Sequence, residues 1–251
     1  MARIVRHFIE EPRACAYLAD RLASLEYRLM VNVSGEELEV LLLRGWRRFG
    51  PAYFRPACKL CTECVSIRLD VHRFEATKSQ LRAYRRSKRF KVVVGRPAVD
   101  AERLKLHEAW HSTREDARGW EKASLTEDEY QTQFAFPSTT GREMAWYDNG
   151  RLVALGLVDV TARCVSAAYF FYHPSIAHLS PGVANVMRCV ELARELSATH
   201  VYLGYRVDGC PSLKYKANFQ PHELLEGRPS LAELPTWREA AAPAPLPVPL
   251  K

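Results

Sequence analysis

The stretch Glu143-Met144-Ala145-Trp146-Tyr147-Asp148-Asn149-Gly150-Arg151-Leu152-Val153-Ala154-Leu155-Gly156-Leu157-Val158-Asp159-Val160 decides the fold. Asn-Gly between two strand-like runs is the strongest short hairpin signal, because both central residues of a tight two-residue turn need positive φ. Residues 143–147 and 152–160 therefore read as adjacent antiparallel strands. Working outward, Val165 to Tyr172 is a third strand. The turn Ser180-Pro181-Gly182 then opens an amphipathic helix with Val183, Val186, Met187, Val190 and Ala193 at helical spacing. His200 to Tyr205 is a further strand. Upstream, a polar helix from Asp100 to Arg114 leads through a loop around Gly119-Trp120 to a short helix that starts at Thr126, where Glu129 completes a capping-box signature.

The first 96 residues have a different grammar. Glu26 to Val33 reads as a strand, and Ser34 three residues before Glu37 caps a helix carrying Leu38, Leu41 and Leu42 near one face. Gly45 and the Gly50-Pro51 pair stop that helix. The predicted class is α+β, with a small N-terminal cysteine-containing α+β domain over residues 1–96. A second domain over 97–228 follows, whose element order is similar to the N-acetyltransferase-like (GNAT) fold. Residues 229–251 are Pro-rich, ending in Pro243-Ala244-Pro245-Leu246-Pro247-Val248-Pro249, and read as an extended tail with no core of its own.

Charge narrows the partners. The chain has 36 basic and 29 acidic residues, a net charge of +7. The excess is local: Lys78, Arg82, Arg85, Arg86, Lys88, Arg89, Lys91 and Arg96 lie in one run without an acid, with Tyr84 and Phe90 interleaved. Such a stripe suits a polyanion and can track a phosphate backbone; the alternative is a solvated helix face. No run of about 18 apolar residues occurs and no signal peptide is evident, so a membrane role is not expected and a cytoplasmic location is. Seven cysteines, an odd number, fit reduced thiols.

Three of those cysteines, Cys58, Cys61 and Cys64, repeat at every third residue on a turn before the alternating run Val65 to Val71. Thiolates at this spacing can converge on one metal ion or cluster, and Cys15 is the best fourth candidate. The other reading is that they are buried thiols acting as small hydrophobes. A different site is suggested by Tyr202 through Pro221, dense in aromatic and basic residues. Tyr205, Lys214 and Lys216 lie at or beyond a strand end, where mixed sheets place ligands. The turn Leu179-Ser180-Pro181-Gly182-Val183-Ala184 lacks the basic or amide residue that coenzyme A enzymes use at this point, and Pro181 removes a backbone donor, so an acyl-CoA donor is disfavoured.

Several motifs in order carry a more specific resemblance. Cys15-Ala16-Tyr17-Leu18, Leu25-Glu26-Tyr27-Arg28-Leu29, Gly45-Trp46-Arg47-Arg48-Phe49-Gly50, Tyr53-Phe54-Arg55-Pro56-Ala57-Cys58 and Tyr202 through Pro221 resemble the aminoacyl-tRNA-protein transferases of the N-degron pathway, the arginyl-transferases and their bacterial leucyl-transferring relatives. The resemblance covers roughly residues 8 to 228. It implies transfer of an amino acid from aminoacyl-tRNA to the N-terminal amine of proteins or peptides that start with Asp or Glu. Leucine is favoured as the donor amino acid and arginine is the alternative. A metal-stabilised nucleic-acid-binding module without activity is a further reading. Lys78, Arg82, Arg85, Arg86, Lys88 and Arg89 would hold the tRNA. Tyr27, Arg28, Arg47, Arg55, Tyr205, Lys214, Tyr215 and Lys216 are the candidate acceptor- and substrate-binding residues, the three arginines being suited to grip a carboxylate.

The ester is already activated, so no cofactor is required for the chemistry and no residue is singled out as a base. Eukaryotic relatives are implicated in binding zinc or an iron-sulfur cluster through N-terminal cysteines. Here Leu18 replaces one cysteine and Cys58, Cys61 and Cys64 are spread out, as in the bacterial branch. The region Trp110 to Trp120 lacks the Gly/Met-rich stretch of typical leucyl-transferases, which leaves the donor open.

Overall fold

The computed structural model describes residues 1–118 and 125–240. The loop at Gly119-Trp120 and the proline alternation from Pro243 lie outside the described residues. In chain order, β1 (Arg3–Ile9), a short ribbon of β2 (Arg13–Ala14) and β3 (Leu22–Ala23), β4 (Leu25–Val31), α1 (Gly35–Leu42), β5 (Arg47–Phe49) and β6 (Ala52–Pro56) come first. Then follow β7 (Val65–Asp70), α2 (Lys78–Ser87), β8 (Lys91–Gly95), α3 (Ala101–Arg118) and α4 (Glu127–Phe134). The chain continues through β9 (Gly141–Asp148), β10 (Arg151–Val160), β11 (Cys164–Tyr172), α5 (Pro181–Glu195), β12 (His200–Arg206), α6 (Pro211–Lys214), β13 (Glu223–Leu225) and β14 (Trp237–Glu239).

Local chemistry sets the boundaries. Ser34, Thr77 and Thr126 each accept a hydrogen bond from the backbone three residues on, and Glu37, Gln80 and Glu129 return one, so α1, α2 and α4 all start in capping boxes. The β9–β10 hairpin turns on Asn149 (φ 49°) and Gly150 (φ 84°), as the Asn-Gly pair predicts.

A four-stranded antiparallel sheet has the order β1-β4-β6-β5, and an eight-stranded sheet has the order β14-β13-β7-β12-β11-β10-β9-β8. In the larger sheet only β11 and β12 pair in parallel. Its strands alternate between two cores, as the period of two requires. Met144, Trp146, Val201 and Leu203 pack under Met187, Val190 and Ala193 of α5. On the other face, Ala145, Leu155 and Phe171 meet Leu106 and Trp110 of α3 and Tyr130 and Phe134 of α4. Beside them Tyr202 and Cys164 meet Trp46, Leu38 and Leu42, which docks the smaller sheet and α1 on the larger.

Two expectations about organisation change. The larger sheet runs across the boundary placed at residue 96: β7 sits inside it between β13 and β12, and β8 forms its edge. Tertiary pairing with residues 200–225 recruits β7, and no local pattern announces that. Residues 229–240, expected to begin an extended tail, instead form a strap. Trp237 meets Tyr202 edge-to-face and donates to the Leu43 carbonyl at 3.1 Å, Arg44 donates to the Ser230 and Glu233 carbonyls at 3.0 Å each, and Arg55 donates to the Pro229 carbonyl at 2.7 Å. No helix among the described residues is long and apolar enough to cross a membrane.

Candidate active site

β11 and β12 stay paired only from Cys164–His200 to Ser166–Tyr202 and then separate. Both strands carry an irregularity at that point. The register of β11 against β10 shifts between Leu157 and Val158, and that of β12 against β7 shifts between Tyr202 and Gly204. Gly204 takes φ 82° there. The gap that results is filled at its vertex by Arg47 of β5, which donates from Nη1 to Ser166 Oγ at 3.0 Å and from Nη2 to the Ala167 carbonyl. A Cβ on Gly204 would stand 3.3 Å from the Arg47 guanidinium carbon, so the positive φ and the close approach both call for glycine. Arg47 is buried, which pulls its pKa below the ordinary arginine value, and its hydrogen bonds go to neutral oxygens.

Lys216 reaches the same place from the turn after α6. Its Nζ donates to the Tyr205 carbonyl at 2.9 Å. Burial brings its pKa down to about 7, with Arg47 pushing in the same direction against an opposing pull from Cys210 and Cys64. Its neighbours in the motif have other roles. Tyr205 is buried, its hydroxyl donating to the Gly45 carbonyl at 2.9 Å, so it fastens the smaller sheet rather than facing a ligand. Tyr215 packs on Phe219 against the α5 core, and burial pushes its hydroxyl up to about 12. Lys214 is exposed.

The smaller sheet sorts the other expected residues by register. Phe8 pairs with Tyr27, Tyr27 with Phe54, and Phe54 with Arg47, so these four share one face, with Phe49 two residues beyond Arg47. The rings follow one another at 5.3 Å (Phe8–Tyr27), 5.8 Å (Tyr27–Phe54) and 5.5 Å (Phe54–Phe49), and Phe49 meets Tyr169 of β11 at 5.7 Å. All are half-buried, which makes a stacking platform beside the vertex.

Arg28 and Arg55 alternate onto the opposite face. Their guanidinium carbons lie 4.5 Å and 4.8 Å from the Trp46 ring, and Arg55 donates to Glu26 at 2.7 Å. Burial works to raise the Glu26 pKa, but hydrogen bonds from Arg55 and His7 outweigh it and hold the carboxylate low. Only Arg47 of the three arginines, with Tyr27, faces the gap. Phe8, Phe49, Phe54 and Tyr169 join the site without having been expected there; the period-two alternation around Tyr27 and Arg47 is the signal that points to them.

Cys15, Cys58, Cys61 and Cys64 are drawn into one neighbourhood, and all are free thiols. Burial pushes Cys64 up to about 12, and Cys58, Cys15 and Cys61 add to the shift. Local partners engage two of them: the Tyr17 amide donates to Cys15 Sγ at 3.4 Å and the Ser24 amide to Cys58 Sγ at 3.5 Å. Arg228 ties the turn by donating to the carbonyls of Cys58 and Cys61 at 2.9 and 2.6 Å. Among the described residues no three His, Cys, Asp or Glu side chains stand as a metal-ligand group.

The basic stripe is the solvent face of α2 and the turn after it. Lys88 and Arg89 pair with Glu191 and Asp148 at 3.5 and 3.1 Å. Lys78, Arg82, Arg85 and Arg86 line the rest of α2 and make no ion pair among the described residues. A cleft of about 470 Å³ bordered by Met30, Arg48, Tyr53, Arg96 and Thr139 takes in neither Arg47 nor Lys216.

Comparison with known proteins adds a second line. Family models described as the N terminus and the C terminus of arginine-tRNA-protein transferase match residues 13–82 and 102–226. The chain is 33% identical over 220 residues to an aspartate/glutamate leucyltransferase of Campylobacter jejuni, covering 87% of this chain and 92% of that protein. The chain belongs to the arginine-tRNA-protein transferase family. Proteins with the same leucyltransferase name from Helicobacter hepaticus (29% identity, 92% of this chain and 96% of that protein) and Halorhodospira halophila (32% identity, 85% and 91%) are also similar. Among solved structures, FemX overlaps with a TM-score of 0.42 at 11% identity, over 72% of this chain and 63% of that one. For this transferase family member, the matched regions contain both Arg47 and Lys216.

Proposed function

We propose that this protein transfers leucine from leucyl-tRNA to the N-terminal amine of proteins beginning with Asp or Glu, in the cytoplasm and without a cofactor in the chemical step. The observation that carries the reading is the coverage of nearly the whole chain by proteins named aspartate/glutamate leucyltransferase, combined with a gap at the β11–β12 vertex where Arg47 and Lys216 are held together. Arginine as donor with the same acceptors is the second reading, favoured by the family description.

On an N-acetyltransferase-like reading of the larger sheet, acyl transfer would take place at such a split between parallel strands. Pro181 in the first turn of α5 and Ser180, which provides no side-chain cap, leave a poor pyrophosphate site, which suits a donor carried on tRNA. The aromatic platform would stack the unpaired bases of the tRNA end. Arg47 would supply a fixed positive charge for the ester oxygen as it becomes an oxyanion. Lys214, exposed on α6, is left to select the acceptor carboxylate.

Incubation with leucyl- or arginyl-tRNA and peptides starting with Asp, Glu or Asn tests this directly. Modification of the acidic peptides from leucyl-tRNA alone is expected. Modification from neither charged tRNA would overturn the reading. Replacing Arg82, Arg85 and Arg86 by Ala should weaken tRNA binding and reduce its log-log salt slope by about one unit for each phosphate that is no longer neutralised. Arg89→Ala should do less because Asp148 already pairs with that side chain. Binding of the triple variant that matched the parent at every salt concentration would return α2 to a merely solvated face.

A further inference from the structure

The Lys216 amine at the gap, half-buried over the residue as a whole, has no structural charge to balance. The charged and titratable groups that act on Lys216 are Arg47 from β5, Cys210 ahead of α6 and Cys64 from the cysteine turn, and no carboxylate is among them. Its Nζ has one hydrogen-bond partner among the described residues, the Tyr205 carbonyl at 2.9 Å. A lysine recruited only to hold two strands together would be better served by an acid, whereas this one is kept beside a second cation at the point where two strands part.

We propose that Lys216 is the proton-transfer group of the reaction, its neutral amine taking the proton from the acceptor α-amine as the carbon–nitrogen bond forms. The same proton then goes to the ribose oxygen as the ester carbon–oxygen bond breaks. The products are a peptide bond and a tRNA with a free hydroxyl, and Lys216 ends as it began. The Tyr205 carbonyl orients Nζ by accepting one of its hydrogens, leaving the nitrogen lone pair for the incoming proton. The depressed pKa follows from the same geometry: burial and Arg47 both disfavour the charged form, so a large fraction of Lys216 is neutral near pH 7.

This inference rests on the proposed transferase function, and the experiment separates the two. Single-turnover transfer to an Asp-starting peptide is measured for the parent, Lys216→Arg and Lys216→Met, using whichever of leucyl- and arginyl-tRNA the parent accepts. Both variants are expected to lose about 10²–10⁴-fold in rate, with peptide KM within a few-fold of the parent. Lys216→Arg keeps the positive charge, so a charge-only role predicts that it works and the proton-transfer role predicts that it fails.

A second measurement needs no activity. With a folded-state pKa near 7 against an ordinary value near 10.5, the unfolded chain binds the extra proton between those limits, so the parent's unfolding free energy should gain with rising pH relative to Lys216→Met. Parent-like transfer by Lys216→Arg would overturn the inference while leaving the function standing. Identical pH dependence of stability would overturn it as well. An inactive parent would remove both.

Discussion

Arg47→Met is expected to reduce transfer by about 10²–10³-fold while leaving the unfolding free energy within about 1 kcal/mol of the parent. The two effects separate because the Arg47 charge is held without a hydrogen-bonded carboxylate. Replacing a buried ion by an apolar side chain of similar volume is often neutral or stabilising. Against that gain stands the Ser166 hydroxyl, which loses its partner at a cost of about 1–3 kcal/mol if no other is found. A positive charge kept in a buried place at no benefit to stability is what a catalytic role requires. Urea denaturation and single-turnover transfer check the two halves. A variant with parent-like transfer would reduce Arg47 to a packing element between the two sheets.

The second large effect is expected for Asp159→Ala, a loss of about 3–5 kcal/mol in unfolding free energy. Asp159 is only 2% exposed, and its Oδ1 accepts hydrogen bonds from Arg48 Nη2 at 2.5 Å and from Thr140 Oγ1 at 2.9 Å. Removing the carboxylate leaves the Arg48 guanidinium buried against the Gly50 carbonyl alone. This pair also joins β5 to β10, and thus the smaller sheet to the larger, so transfer should fall with stability rather than independently of it. Chemical denaturation measures the effect, and a loss below about 1 kcal/mol, the range of exposed pairs, would show that the pair is solvated in solution.

The contrast between Arg47 and Arg48 also shows what the sequence can convey. Signals confined to a few residues are legible: the Asn149-Gly150 turn, the capping boxes at Ser34 and Thr126, the spacing of Val183 to Ala193, and the strand at His200. Each depends on local backbone chemistry that distant partners do not alter. The motifs around Arg28, Arg47 and Arg55 single out adjoining strands, but a strand sends alternate side chains to opposite faces. Which face meets the β11–β12 gap is decided by the docking of two sheets. Tyr205 and Tyr215 are misplaced at a ligand for the same reason, since a strand end does not reveal whether a ring turns into the core. The cysteine turn and Cys15 do come together, because the fold brings β7 and the β2–β3 ribbon side by side around free thiols.

The position of β7 has a consequence for how the chain comes off the ribosome. Residues 65–70 must wait for β12 and β13 before their backbone groups find partners in the sheet. At a synthesis rate of roughly 5–20 residues per second, that delay is on the order of 7–30 s. During that time an apolar strand and the neighbouring thiols are exposed in a nascent chain. The early part of the molecule thus stays without its sheet partners during synthesis, and β7 is closed in only when β12 and β13 have emerged.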